Sequence, residues 1–285
     1  MNRIKISTDS INDLSPEIVS NFDIALAPLH ILVDDKDFRD NVDITPADIF
    51  RYVDEERKFS KTAAVNAYEY VNLFEELSPK NDAVIHISLS SKCSSCYQNA
   101  VLAAQSFQNV HVIDSRNFSS GIGMAVYDAA LMTRDGLEPE EICRRLVEDV
   151  IPRVDFSFVI DRLDYLYKGG RCSGIEAIGA KMLNIKPCIE ITGGRLIVGK
   201  KYRGNFDRCL EKYVEDRLSD RQNIDYSKIF VTHPMCTGQT VERVKETIRR
   251  CGDFDEIIET RAGCTTSSHS GPFTLGVIFK RKNTK

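Results

Sequence analysis

The chain has 285 residues, 42% hydrophobic and 28% charged, the composition of a folded globular protein rather than a fibrous, low-complexity or disordered one. Its formal net charge of -4 offers no basic footprint for a phosphate backbone, which excludes nucleic acid from the expected partners. The opening residues "MNRIKISTDS" enter a strand without the apolar core of a signal peptide, and no apolar run reaches the length of an integral membrane segment, so the expected location is cytoplasmic.

In chain order, "IKISTD" reads as a strand and "SPEIVSNF" as a helix, with Ser15 as N-cap, Pro16 at the first helical position and Glu17 in the first turn. A strand "IALAPLHILV" is expected next, then a helix opened by Thr45-Pro46. The apolar runs "AVIHISLS" and "VHVIDS" each lead into a helix, "SSCYQNAVLAAQSF" and "GMAVYDAALMTRDG". Continuous apolar strands separated by helices predict a parallel sheet covered on both faces. "EPEEICRRLVEDVIPRV" predicts a helix that bridges to a second unit. From "DFSFVID" onward the strands alternate more, and Gly193-Gly194 predicts a hairpin between "KPCIEI" and "RLIVGKKYR". Helices "EAIGAKML" and "QTVERVKETIRRCG", the second ended by Gly252, are interspersed. The expected organisation is α/β: a parallel-sheet domain over residues 1–153, then an α+β domain with a mostly antiparallel sheet over residues 154–285.

Open parallel sheets bind ligands beyond the carboxyl ends of their strands, and three polar clusters follow strands here: Asp9-Ser10, Ser88 to Cys96, and Asp114 to Gly121. Asp9 and Asp114 are expected as helix caps. Ser90, Ser91, Ser94 and Ser95 crowd a helix start, which suits either an anion site or an N-cap with solvated serines. The nine cysteines are odd in number and irregularly spaced, so no disulfide framework is expected. Cys93 and Cys96, in "CSSC", imitate a redox dithiol at a helix start and leave that activity as a rival. "YLYKGGRCSG" sets a double glycine before Arg171, which suits an oxyanion contact or a plain tight turn. In "TTSSHSGPF", His269 stands among five hydroxyl residues. It suits a general base for a serine acyl hydrolase or a donor to an anionic ligand, and spacing alone does not choose.

Taken together, "ISTDSINDLSPE", "FRDNVDIT", "VIHISLSSKCSSCYQNA", "HVIDSRNFSSGIGMAVYDAA", "YLYKGGRCSGIEAIGAKMLNIKPCIEI" and "SSHSGPFTLGVIF" resemble the DegV family, in order and across nearly the whole chain. The resemblance implies a Rossmann-like N-terminal domain, an α+β C-terminal domain and a fatty-acid-binding subunit of bacterial fatty acid kinase. Such a subunit buries a long-chain fatty acid in a tunnel and presents the carboxylate to a soluble kinase subunit for conversion to acyl phosphate, feeding phospholipid synthesis. It implies no cofactor, metal or catalytic residue in this chain, because nucleotide and metal belong to the partner. By motif position it assigns the carboxylate to Thr62, Ser94 and His269, with Ser95 beside them, and partner or phosphate contact to Arg171 and Arg203. At roughly 0.8 kcal/mol per buried methylene, a 16-carbon tail contributes on the order of 10 kcal/mol before ordering costs.

The sequence departs from the family around these residues. Ala63 and Ala64 stand in "TAAVN" where the family has "TSQPS", Ser95 replaces a glycine, and Phe273 follows Gly271-Pro272 where the family has a small side chain. An altered or shorter ligand is expected, with Gly271 and Phe273 shaping the pocket.

Overall fold

The computed structural model describes residues 3–174 and 184–283. The first half runs β1 (Ile4–Asp9), α1 (Pro16–Asn21), β2 (Ala25–Ala27), β3 (His30–Val33), β4 (Lys36–Arg39), α2 (Pro46–Glu56), β5 (Lys61–Ala63), α3 (Ala67–Leu77), β6 (Ala83–Ser88), α4 (Cys96–Ala104), β7 (Val110–Asp114) and α5 (Ser120–Arg134). A helical bridge, α6 (Pro139–Arg145) and α7 (Ile151–Arg153) joined by a π-helical turn over Leu146–Val150, leads onward. The second half runs β8 (Val154–Ile160), α8 (Leu163–Gly169), β9 (Cys172–Ser173), β10 (Ile185–Thr192), β11 (Arg195–Arg203), α9 (Phe206–Arg217), β12 (Ile224–His233), α10 (Gly238–Cys251), β13 (Glu256–Arg261), α11 (Cys264–Ser270) and β14 (Thr274–Arg281). The expected helix "EAIGAKML" lies outside the described residues.

As expected, the first half builds a parallel four-stranded sheet, in order β2-β1-β6-β7. All six residues of β6 are buried, which is why that run carries no polar alternation. The second half builds a seven-stranded sheet, β13-β12-β14-β8-β10-β11-β9, mostly antiparallel, with parallel pairs only at its two edges. One apolar core joins the halves: Ile85, Ile87 and Met124 share it with Phe156, Phe158 and Ile278.

The run "IALAPLHILV" is two strands in two sheets. Pro28 separates β2 from β3, since proline cannot donate to a central ladder. β3 instead forms a small antiparallel sheet with β4 and β5, which places Thr62 opposite Ile31. The Thr45-Pro46 helix start holds as a capping box with Asp48. The hairpin also holds: Thr192 pairs with Arg195 across a two-residue turn, with Gly193 and Gly194 at φ 57 and 81, the left-handed conformation that such turns require.

Candidate functional site

The hairpin tip reaches the polar loop after β6. Ser90 Oγ donates to the Gly194 carbonyl at 2.8 Å and Cys93 Sγ contacts the same oxygen at 3.3 Å. A side chain at Gly194 would lie 2.7 Å from Ser90 Oγ, so the second half closes over the ends of the parallel strands through a backbone that needs glycine. Beneath this closure, Thr62, Ala63, Ala64, Cys93, Ser94, Ser95, Phe118, Arg171 and His269 line one cavity of about 220 Å³.

His269 Nε2 and Thr62 Oγ1 share a hydrogen bond at 2.9 Å across 207 residues of chain. Burial, with the nearby Arg171 guanidinium, pushes the imidazole down to about 4, so the ring is neutral at physiological pH and carries one hydrogen. With that hydrogen on Nε2 it is donated to Thr62, whose own hydroxyl then donates into the cavity. Nδ1 is buried without a hydrogen-bond partner among the described residues and packs against Gly169, where an added Cβ would lie 2.2 Å away. The double glycine thus divides its work: Gly169 makes room for the imidazole, and Gly170 ends α8 in the left-handed conformation at φ 63. Arg171 then donates back to the Gly169 carbonyl at 2.8 Å.

Ser94 and Ser95 stand where α4 begins, and Ser95 makes no side-chain cap bond, so this helix start favours an anion. Ser94 Oγ accepts from the Cys96 amide and donates to Cys96 Sγ, each at 3.2 Å. Sulfur is a weak acceptor, so that hydroxyl hydrogen is readily surrendered to a carboxylate. The same packing answers the redox rival. Burial pushes both thiols up, Cys96 to about 12, opposite to the lowering a redox dithiol needs. The hydrolase reading lacks its parts as well: Ser94 bonds to Cys96, not to His269, and no carboxylate orients the imidazole among the described residues.

The helix that carries His269 is held by two buried aspartates of the first half. Asp13 accepts from the Gly263 amide at 2.8 Å, from Thr266 Oγ1 at 2.7 Å and from Ser119 Oγ. Asp40 accepts from the Cys264 amide at 3.0 Å, and from Thr265 Oγ1 and Ser10 Oγ, each at 2.7 Å. These bonds supply the unsatisfied amides at the start of α11 and fix its rotation. Desolvation pushes Asp13 up to about 7. Asp9, expected as a cap, makes no cap bond. It is fully buried and accepts from Tyr70, from Ser88 Oγ at 2.8 Å and from the Leu89 amide at 2.7 Å, holding the strand end that leads to the serine loop. Asp114 accepts from the amides of Ser91 and Arg116, so it braces the loop and not a helix.

A second, narrow cavity of about 20 Å³ lies behind the first, walled by Phe118, Phe156, Phe158, Ala262, Gly276 and Ile278. Hydroxyls on its wall are already occupied: Thr266 by Asp13, Thr232 by Ser120 and Thr260, and Thr274 by the Ser270 carbonyl. Three expected residues stand apart from both cavities. Phe273 is 45% exposed and narrows neither. Gly271, at φ 77, packs against the Tyr165 ring. Arg203 is exposed at the far end of β11 from the hairpin tip, eight residues or about 26 Å along the strand from Arg195. Phe118, Asp13 and Asp40 matter here although the sequence, which carries each in a stretch resembling the family, assigned them no role; Gly169 was signalled only as half of a double glycine.

The model of the DegV family, described as uncharacterised protein, matches residues 3–282. The chain belongs to the DegV family. It is 34% identical to a DegV domain-containing protein of Caldanaerobacter subterraneus over 99% of this chain and 100% of that one, and 33% identical to one of Clostridium acetobutylicum with the same coverage. Among solved structures, a DegV family protein of Thermus thermophilus described for its fatty acid binding superposes with a TM-score of 0.89 at 26% identity, over 98% of this chain and 100% of its own. A Thermotoga maritima protein described as revealing fatty acid binding function gives a TM-score of 0.85 at 26% identity, over 99% and 100%. Among the described residues no helix is long and apolar enough to cross a membrane, and no cluster of His, Cys, Asp and Glu suits a metal ion.

Proposed function

We propose that this DegV chain is a fatty-acid-binding protein whose 220 Å³ cavity receives the carboxylate. Thr62 and Ser94 are its hydroxyl donors, His269 acts through the hydrogen it gives to Thr62, Ser95 and the start of α4 add helix amides, and Arg171 supplies positive charge at the rim. One observation carries this reading: groups from four separate stretches, in both halves of the chain, converge on one cavity without a carboxylate of their own to satisfy them. A carboxylate leaving water must recover hydrogen bonds, and these hydroxyls hold only exchangeable partners. The tail begins against Ile11, Leu29, Leu89 and Phe118, the apolar wall of the same cavity. In the fuller form of the proposal, the head group is offered to a soluble cytoplasmic kinase subunit that makes acyl phosphate, with exposed Arg203 free to meet that partner, and this chain needs no cofactor.

Mass spectrometry of material extracted from the purified protein tests the core of it. A fatty acid released in about equimolar amount is the expected result. A different compound in its place, together with no uptake of added fatty acid, refutes the assignment.

A further inference from the structure

The two cavities share one lining residue, Phe118. Helix α11 forms the rest of the partition: Thr265 and His269, one helical turn apart, face the head-group cavity, while Thr266 and Ser270 face the slot. Phe118 closes the remaining gap, 5% exposed, with its ring centroid 6.5 Å from that of His269 in an edge-to-face contact. The backbone is bent to put it there. Ser119 has φ 52 and ψ -137, a conformation that non-glycine residues avoid, and Arg116 has φ 48. Ser119 holds that conformation by donating its hydroxyl to buried Asp13, the same carboxylate that anchors α11, so the plug and the partition are fixed by one group.

We propose that Phe118 sets the length of the acyl tail this chain accepts. The inference rests on the fatty-acid reading and narrows it to a substrate class, medium-chain acids. A dry cavity of about 150 Å³ admits benzene. By volume alone the 220 Å³ chamber, whose apolar wall is Ile11, Leu29, Leu89 and Phe118, takes a head group and tail of about eight carbons in all, whereas the 20 Å³ slot has room for about one water-sized group and takes a longer tail only if Phe118 moves. Phe273, the aromatic residue that the sequence offered for this task, points elsewhere.

Titration of the full chain, freed of bound lipid, with saturated acids from hexanoate to hexadecanoate tests this, comparing wild type with Phe118→Ala and, for folding, Phe118→Leu. Wild-type affinity rises about fourfold per methylene, the factor expected for burying one, and levels off near octanoate. In Phe118→Ala, whose chamber and slot are joined, the rise continues, so that dodecanoate binds at least tenfold more tightly than to wild type. Phe118→Leu falls between. Wild-type affinity that climbs unbroken to hexadecanoate, or identical length profiles in all three proteins, overturns the role of Phe118. Failure of every acid to bind folded wild type overturns the fatty-acid reading itself.

Discussion

Replacing Gly169 by alanine adds one carbon 2.2 Å from His269 Nδ1, 3.2 Å from Cγ and 3.3 Å from Cε1. Ordinary non-bonded contact begins near roughly 3.5 Å, so the ring must retreat by about 1 Å or more. The 2.9 Å bond to Thr62 does not survive that movement. The carboxylate then loses an aligned donor, at a cost of about 1.5–3 kcal/mol for a charge-assisted bond, or roughly a 10- to 150-fold weaker Kd. Calorimetric titration with octanoate measures it. Stability serves as the internal control, because alanine is the better helix former by about 1 kcal/mol and Gly169 is the last residue of α8, so the variant stays folded. Gly170→Ala has the reverse signature: nothing lies within 4 Å of its added carbon, but φ 63 costs about 1 kcal/mol of stability and leaves affinity intact. Gly169→Ala binding within twofold of wild type would refute the role of the imidazole in orienting Thr62 toward the head group.

Titration of His269 is visible in stability. Its value is about 4 when folded against 6.5 when exposed, so the contribution of the neutral ring is complete above pH 6.5 and is lost as pH falls toward 4, by at most about 3 kcal/mol. Asp13 runs the other way, raised from 3.8 to about 7, with its contribution complete below pH 3.8 and lost as pH rises through 7. Urea unfolding between pH 4 and 7 should therefore show His269→Gln and wild type diverging in slope, and parallel slopes would contradict a neutral buried ring. Of the two arginines, Arg171→Ala should weaken octanoate binding by a few-fold, with the loss shrinking in high salt, while Arg203→Ala leaves it unchanged; equal effects from both would show that cavity-rim charge is not what is read.

Local pattern carried most of the fold into the sequence. The continuous apolar β6 and β7, the Thr45 cap and the Gly193-Gly194 turn each encode their geometry within a few residues. Pro28 was a break written in the chain but hidden inside an otherwise uniform apolar run. The short strands β4 and β5 escape periodicity because three or four residues give too few alternations to count. The proposed head-group residues Thr62, Ser94 and His269 are reached through motif resemblance, and spacing alone leaves His269 undecided. Nothing local distinguishes Asp13 and Asp40, which meet α11 across 250 and 224 residues, from solvated loop aspartates. The same holds for Phe118 against Phe273: two aromatics, one just before a helix and one just before a strand, of which the packing turns one inward and the other outward.

The anchoring of α11 by Asp13 and Asp40 has a consequence for assembly. A histidine from the last tenth of the chain takes its orientation from carboxylates laid down near the beginning, so no fragment released early in synthesis holds the proposed receptor. Closing such distant loops is slow, and the entropy is recovered only when the carboxyl-terminal helix arrives. On the fatty-acid reading, ligand capture therefore reports that α11 has docked, and a bound acid, by favouring only the docked form, acts as a rivet on it.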